Sequence, residues 1–136
     1  MKVSAPDPEA TRMAEKDFEE PEVYRVGREF RRAIYALSRS LPEAERFVLA
    51  QQMRRAALSV TNNIAEGHGI YTFKQNIAYL HRSRGSVCEL RDDLNTCEDE
   101  GYASREQLQP LREMAVRLTK LIDGYIRYLR ARMNDS

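Results

Sequence analysis

Two long amphipathic patterns that meet at a short joint constrain this chain more than any other feature. QMRRAALSVTNNIAEG begins at Gln52, FKQNIAYLHRSRGSVCELRDDL ends at Leu94, and only HGIYT separates them. Each repeats apolar residues at three- and four-residue intervals, the period of a helix with one buried face. Both faces need further partners, so the segments before and after read as the other half of one helical bundle.

A chain of 136 residues with 42% hydrophobic content supports one core and is short for two. Gly and Pro are scarce, and three of the five prolines (Pro6, Pro8, Pro21) crowd the amino end, leaving the remainder for long helices. The expected fold is all-α, an antiparallel up-down-up-down four-helix bundle. Residues 1–21 lack a sustained apolar period and read as a mobile charged arm, ahead of a bundle over residues 22–136. Cys88 and Cys97 lie nine apart on one predicted helix and face opposite ways, so they cannot bridge. No run has transmembrane length and no signal segment opens the chain, which leads to the expectation of a cytoplasmic protein without membrane contact.

The helices are expected at about 22–39, 42–66, 73–100 and 105–133. In the first, Val23, Phe30 and Leu37 share one heptad position, Gly27 and Ile34 fill the other, and Arg25, Arg28, Arg32 and Arg39 lie on a different face. Ser40-Leu41-Pro42-Glu43 has capping-box form and should open the second helix, whose buried arc holds Leu49, Met53, Ala56, Ala57, Val60 and Ile64. Arg54 falls inside that arc and calls for an acid or carbonyl partner. Gly67 should end the helix in a left-handed conformation. Thr72–Gln75 forms a second capping box, and the third helix pairs Phe73, Leu80, Val87 and Leu94 with Asn76, Ser83, Leu90 and Cys97, where small or polar residues near Gly85 permit close approach. Ser104–Gln107 opens the fourth helix, where Pro110 should kink the axis or delay the regular start. Its apolar face, broadened by Met114, Leu121 and Tyr128, is wider than a four-helix core needs.

Net charge is only +1, but residues 1–21 sum to −3 and the rest to +4. Of 22 cations, 18 are arginine, the residue suited to bidentate contact with phosphate or carboxylate. In an alternating bundle Arg25, Arg28, His68, Lys74, Arg127, Arg130 and Arg132 should collect at one pole, and Glu43, Glu45, Glu98, Asp99 and Glu100 at the other. Arg25, Arg28, Arg32, Lys74, Arg127, Arg130 and Arg132 are the candidate nucleic-acid contacts. Catalytic chemistry finds no support: two histidines, no Ser-His-Asp order and no phosphate-cradling glycine loop. Glu66, His68, His81 and Cys88 lack ligand spacing, so neither a metal nor a cofactor is expected.

Gln52-x-Arg54-Arg55-Ala56-Ala57-x-Ser59-Val60, then Asn63-Ile64-Ala65-Glu66-Gly67, Leu80 and Arg84-Gly85-Ser86-x-x-Glu89-Leu90, resembles a bacterial four-helix-bundle family. That family was first recognised as proteins encoded in intervening sequences of large-subunit ribosomal RNA genes. The resemblance covers roughly residues 22–133. Arg54, Arg55, Ser59, Asn63, Glu66, Gly67, Arg84, Gly85, Ser86 and Glu89 are its motif positions, read as structural. Related bundles include accessory variability determinants of diversity-generating retroelements, pentameric barrels that bind nucleic acid and a reverse transcriptase. The resemblance thus implies a homo-oligomer, expected to be a pentamer, with RNA or DNA as partner. The alternative expectation is a protein-interaction scaffold, for example for a reverse transcriptase, without direct nucleic-acid binding.

Overall fold

The computed structural model describes residues 21–70 and 72–134; the expected arm, apart from Pro21, lies outside them. Four α-helices make up the fold: α1 (Glu22–Arg39), α2 (Leu49–His68), α3 (Phe73–Asp99) and α4 (Arg105–Asn134). Each packs on the next in sequence, and α4 closes back on α1. The result is an all-α antiparallel bundle, with no strand among the described residues.

The heptad positions explain the core. Val23, Phe30, Ile34, Met53, Val60, Ile64, Leu80, Val87, Leu90, Leu94, Leu118 and Ile122 form one continuous buried cluster. Burying a side chain of this size contributes about 1.5–3 kcal/mol relative to leaving it exposed, which is why helices of modest intrinsic propensity hold here.

The ends show which local signals acted. Pro21 precedes α1, its carbonyl accepting from the N–H groups of Tyr24 and Arg25. Ser104 and Gln107 make a reciprocal capping box, with Gln107 N–H donating to Ser104 Oγ (3.1 Å) and Ser104 N–H to Gln107 Oε1 (2.9 Å). Thr72 Oγ1 accepts from Gln75 N–H (3.2 Å) and donates to Gln75 Oε1 (2.9 Å). Gly101, the glycine with positive φ (73°) among the described residues, ends α3 in a Schellman arrangement: Tyr102 N–H reaches the Cys97 carbonyl and Gly101 N–H the Glu98 carbonyl.

Five expectations change. Ser40 is not an N-cap: its hydroxyl donates to the Leu37 carbonyl (2.7 Å) and closes α1. A single 3₁₀ turn over Glu43–Glu45 follows, and α2 begins at Leu49 rather than near residue 42. The apolar side chains just before α2 do not pack on the bundle; Phe47 and Val48 are 73% and 63% exposed. Arg54 is only half-buried, and its guanidinium meets the Ser38 hydroxyl (3.4 Å) instead of an acid. Of the two outcomes expected of Pro110, the delayed start is excluded, since α4 is helical from Arg105. The roles of two glycines differ as well. Gly85 is exposed with open space where a Cβ would stand, whereas Gly67 lies within α2 and is the point of close approach. A Cβ there would sit 2.6 Å from Asn76 Oδ1, 3.1 Å from Tyr79 Cβ and 3.3 Å from the Asn76 carbonyl oxygen.

Gly67→Ala is therefore expected to lower stability by about 1–3 kcal/mol through overpacking. Gly85→Ala should leave it unchanged or raise it by up to about 1 kcal/mol through helix propensity. Urea unfolding of both variants checks the contrast; equal effects would contradict the close approach at Gly67.

Candidate nucleic-acid interface

Arginines dominate the outer side of α1. Arg25, Arg32 and Arg39 recur every seven residues and are exposed, while Arg28 and Arg31 are half-buried beside them. Arg31 donates to Thr61 Oγ1 on α2 (2.8 Å), which fixes its direction. Arg31, Arg32, Tyr35, Ala36 and Arg39 line a groove of about 430 Å³. The acids of α1 are Glu22 and Glu29, and Glu22 is engaged by Arg117 of α4 (2.9 Å). Among the described residues, Arg25, Arg32 and Arg39 have no ion-pair partner.

A second basic region forms where α2 ends, α3 begins and α4 ends. Arg132 donates to the Tyr128 hydroxyl (2.8 Å) and lies over both the Tyr128 ring (5.6 Å) and the Phe73 ring (5.8 Å). Arg130 and His81 approach at 3.3 Å, and His68 Nδ1 lies 3.4 Å from the Tyr125 hydroxyl. Lys74 and Arg127 are exposed nearby in sequence. The structure thus groups the candidates as Arg25, Arg28 and Arg32 on α1, and Lys74, Arg127, Arg130 and Arg132 on α3 and α4. The Glu22–Arg117 pair anchors the first turn of α1 beside the middle of α4 rather than its end.

Sequence reasoning missed Arg31, Tyr35 and the aromatic partners of Arg132. The groove had a readable signal, since Arg39 continues the seven-residue recurrence of Arg25 and Arg32. Tyr128, one turn before Arg132 on the same helix, had that spacing as its signal, whereas the Phe73 contact had none beyond the expected meeting of helix ends.

At the opposite end, Glu98 accepts from Arg112 (2.7 Å) and faces Arg105 (3.6 Å). The hydrogen bond from Arg112 is the main reason its carboxyl lies below the usual range. Tyr102 donates to Glu45 (2.9 Å), and that bond raises the phenol above its usual range.

The profile of the 23S rRNA-intervening sequence protein family matches residues 19–124. The chain belongs to that family. A solved structure of a protein of unknown function from the S23 ribosomal protein family of Bacteroides thetaiotaomicron is similar, at 25% identity and a TM-score of 0.72. The match covers 76% of this chain and 97% of that one. No curated protein matches the chain.

Within the family span several motif side chains join helices to one another. Asn63 Nδ2 donates to the Ser59 carbonyl (2.8 Å) and Oγ (2.9 Å), and Ser86 on α3 donates to Ser59 Oγ (2.8 Å). Arg84 pairs with Asp123 on α4 (2.8 Å), a half-exposed bridge contributing about 0.2–1 kcal/mol. Hydrogen bonding to Asp123 raises its pKa. Arg55, Glu66 and Glu89 are exposed. No cluster of three metal-ligating side chains occurs among the described residues, nor a helix long and apolar enough to cross a membrane. Both cysteines are free, Cys88 exposed and Cys97 buried, and burial pushes the Cys97 thiol up to about 11.

One buried acid stands apart. Asp93 on α3 accepts from Gln52 of α2 through Oδ1 (3.0 Å), while its buried Oδ2 has no protein partner. Burial, with Glu89 and Asp92 adding repulsion, raises its pKa from 3.8 to about 6. Folding therefore favours the protonated acid. Its contribution is complete below about pH 4 and is lost as the pH rises through 6.

Lowering the pH from 8 to 5 should thus raise the urea midpoint. Asp93→Asn should be more stable than the parent chain at pH 8, by about 1–3 kcal/mol, and should flatten that pH dependence. A parent chain whose stability is flat over this range would contradict the assignment.

Proposed function

We propose that this protein is a non-enzymatic bundle that binds RNA or DNA through the arginine ridge of α1, acting as a homo-oligomer of five copies, the number the resemblance implies. The observation that carries the reading is the row Arg25, Arg32 and Arg39, without ion-pair partners among the described residues, beside a groove that Tyr35 helps to line.

A net charge of +1 does not oppose this. Successive arginines of the row are roughly 10 Å apart along the helix, and the 30-residue α4 extends the bundle to about 45 Å. The screening length at physiological salt is about 8 Å, so a polyanion beside α1 responds to the ridge, with Glu29 as the acid inside it, rather than to distant acids. Self-association repeats the ridge and raises affinity without new contacts. Exposed Leu58 and Val116, on α2 and α4, offer apolar surface for it.

A protein-adaptor reading, with a partner such as a reverse transcriptase, draws on Phe47 and Val48, which project from the connection between α1 and α2.

Charge reversal separates the two readings. The combined variant Arg25→Glu, Arg32→Glu, Arg39→Glu should lose at least tenfold in affinity for a short structured RNA at about 0.1 M salt, with helicity retained. Fluorescence anisotropy and circular dichroism measure both. Undiminished binding by the folded variant would remove the ridge, and no binding by the parent chain would leave the adaptor reading.

A further inference from the structure

We propose that the end of the bundle where α2, α3 and α4 meet is a stacking site for unpaired bases of a nucleic-acid strand. The proposal rests on the nucleic-acid reading above and adds what the ridge cannot supply, since arginines along one helix face hold phosphates and do not distinguish paired from unpaired strands.

The site is built from three helices. Phe73 opens α3 and Tyr128 stands one turn before Arg132 on α4; the two residues are 36% and 55% exposed, although the core has been filled by aliphatic side chains. The Arg132 guanidinium lies over both rings, at 5.8 and 5.6 Å, and its bond to the Tyr128 hydroxyl (2.8 Å) fixes the planar group. Tyr125 braces Tyr128 edge to face, with centroids 6.4 Å apart and planes at 65°, and His68 on α2 lies 3.4 Å from the Tyr125 hydroxyl. Among the described residues, these contacts of Arg132, Tyr128, Phe73 and Tyr125 involve no acid.

The chemistry points to one class of ligand. Exposed aromatic faces stack on any base once it has left its own helix, and paired bases inside a duplex cannot offer theirs. The remaining N–H groups of Arg132, with the ammonium of Lys74 next to Phe73, are suited to the phosphate that accompanies each base. The ligand is therefore an unpaired segment of RNA or DNA, such as a loop or an end, held by ring stacking at this site and by phosphate contacts along α1.

Binding of a ten-nucleotide oligoadenylate RNA, the same DNA sequence and a blunt RNA duplex tests this on the full chain. Phe73→Ala with Tyr128→Ala should weaken single-strand binding about tenfold or more while duplex affinity stays within twofold. Tyr128→Phe, which keeps the ring but loses the hydroxyl that holds Arg132, should lose less single-strand affinity than Tyr128→Ala. The DNA strand should bind within a few-fold of the RNA, because stacking does not use the 2′-hydroxyl. Tyr128→Ala alone, at the more exposed position, serves if the double variant melts early, with a smaller loss in the same direction. Equal losses on duplex and single strand, no loss on either, or DNA left unbound would overturn the proposal. A parent chain that binds the duplex but not the oligoadenylate would overturn it while leaving the ridge intact. One that binds none of the three would overturn both.

Discussion

The bundle depends on how closely α2 and α3 can approach. Gly67 faces Asn76 and Tyr79 with no room for a methyl group, Ser83 donates to the Val60 carbonyl (2.8 Å), and Ser86 bonds to Ser59. Small side chains on one helix meeting backbone or hydroxyl groups on the other create a narrow seam. Leu80, Val87, Leu90 and Leu94 can then interdigitate with Met53, Val60 and Ile64 instead of spanning a gap. Because α3 also packs on α4 and α2 on α1, this seam sets where the outer helices stand. The position of the α1 ridge and of the ring cluster at the bundle end both follow from it.

The seam also explains the family motif. Ser59 and Ser86 bond to each other across the two helices and Gly67 is their point of close approach, while Asn63 bonds back to Ser59 within α2. Asp93, at the same interface, is a costly exception. It is buried with one oxygen bonded to Gln52 and the other without a protein partner, so the seam is weakest toward neutral pH.

Heptad periodicity made the four helices legible, because a buried stripe imposes the same spacing on sequence and on packing. Gly101 and the Ser104–Gln107 box were legible for a similar reason: local geometry alone decides them. Ser40 was not, because a serine one residue beyond a helix can close that helix as readily as open the next, and the lack of apolar partners for Phe47 and Val48 decided between them. Gly67 and Gly85 look equivalent in sequence; only the facing helix distinguishes the contact from open space. Of the candidate interface, the arginine row could be read from its seven-residue recurrence. The contact of Phe73 with Arg132 required knowing which helix ends meet. The expected electrical division of the bundle is moderated by Arg105 and Arg112, which answer Glu98 across the α3–α4 turn.

The central claim is that a nearly neutral bundle holds a polyanion through locally concentrated arginine. Light-scattering mass of the full chain, with and without a short structured RNA, tests it most directly. At about 50 mM salt the mass should increase by that of the bound RNA, and at about 300 mM salt it should return to the protein value, because each phosphate contact is opposed by counterion release. A mass indifferent to RNA at the lower salt concentration would contradict the account.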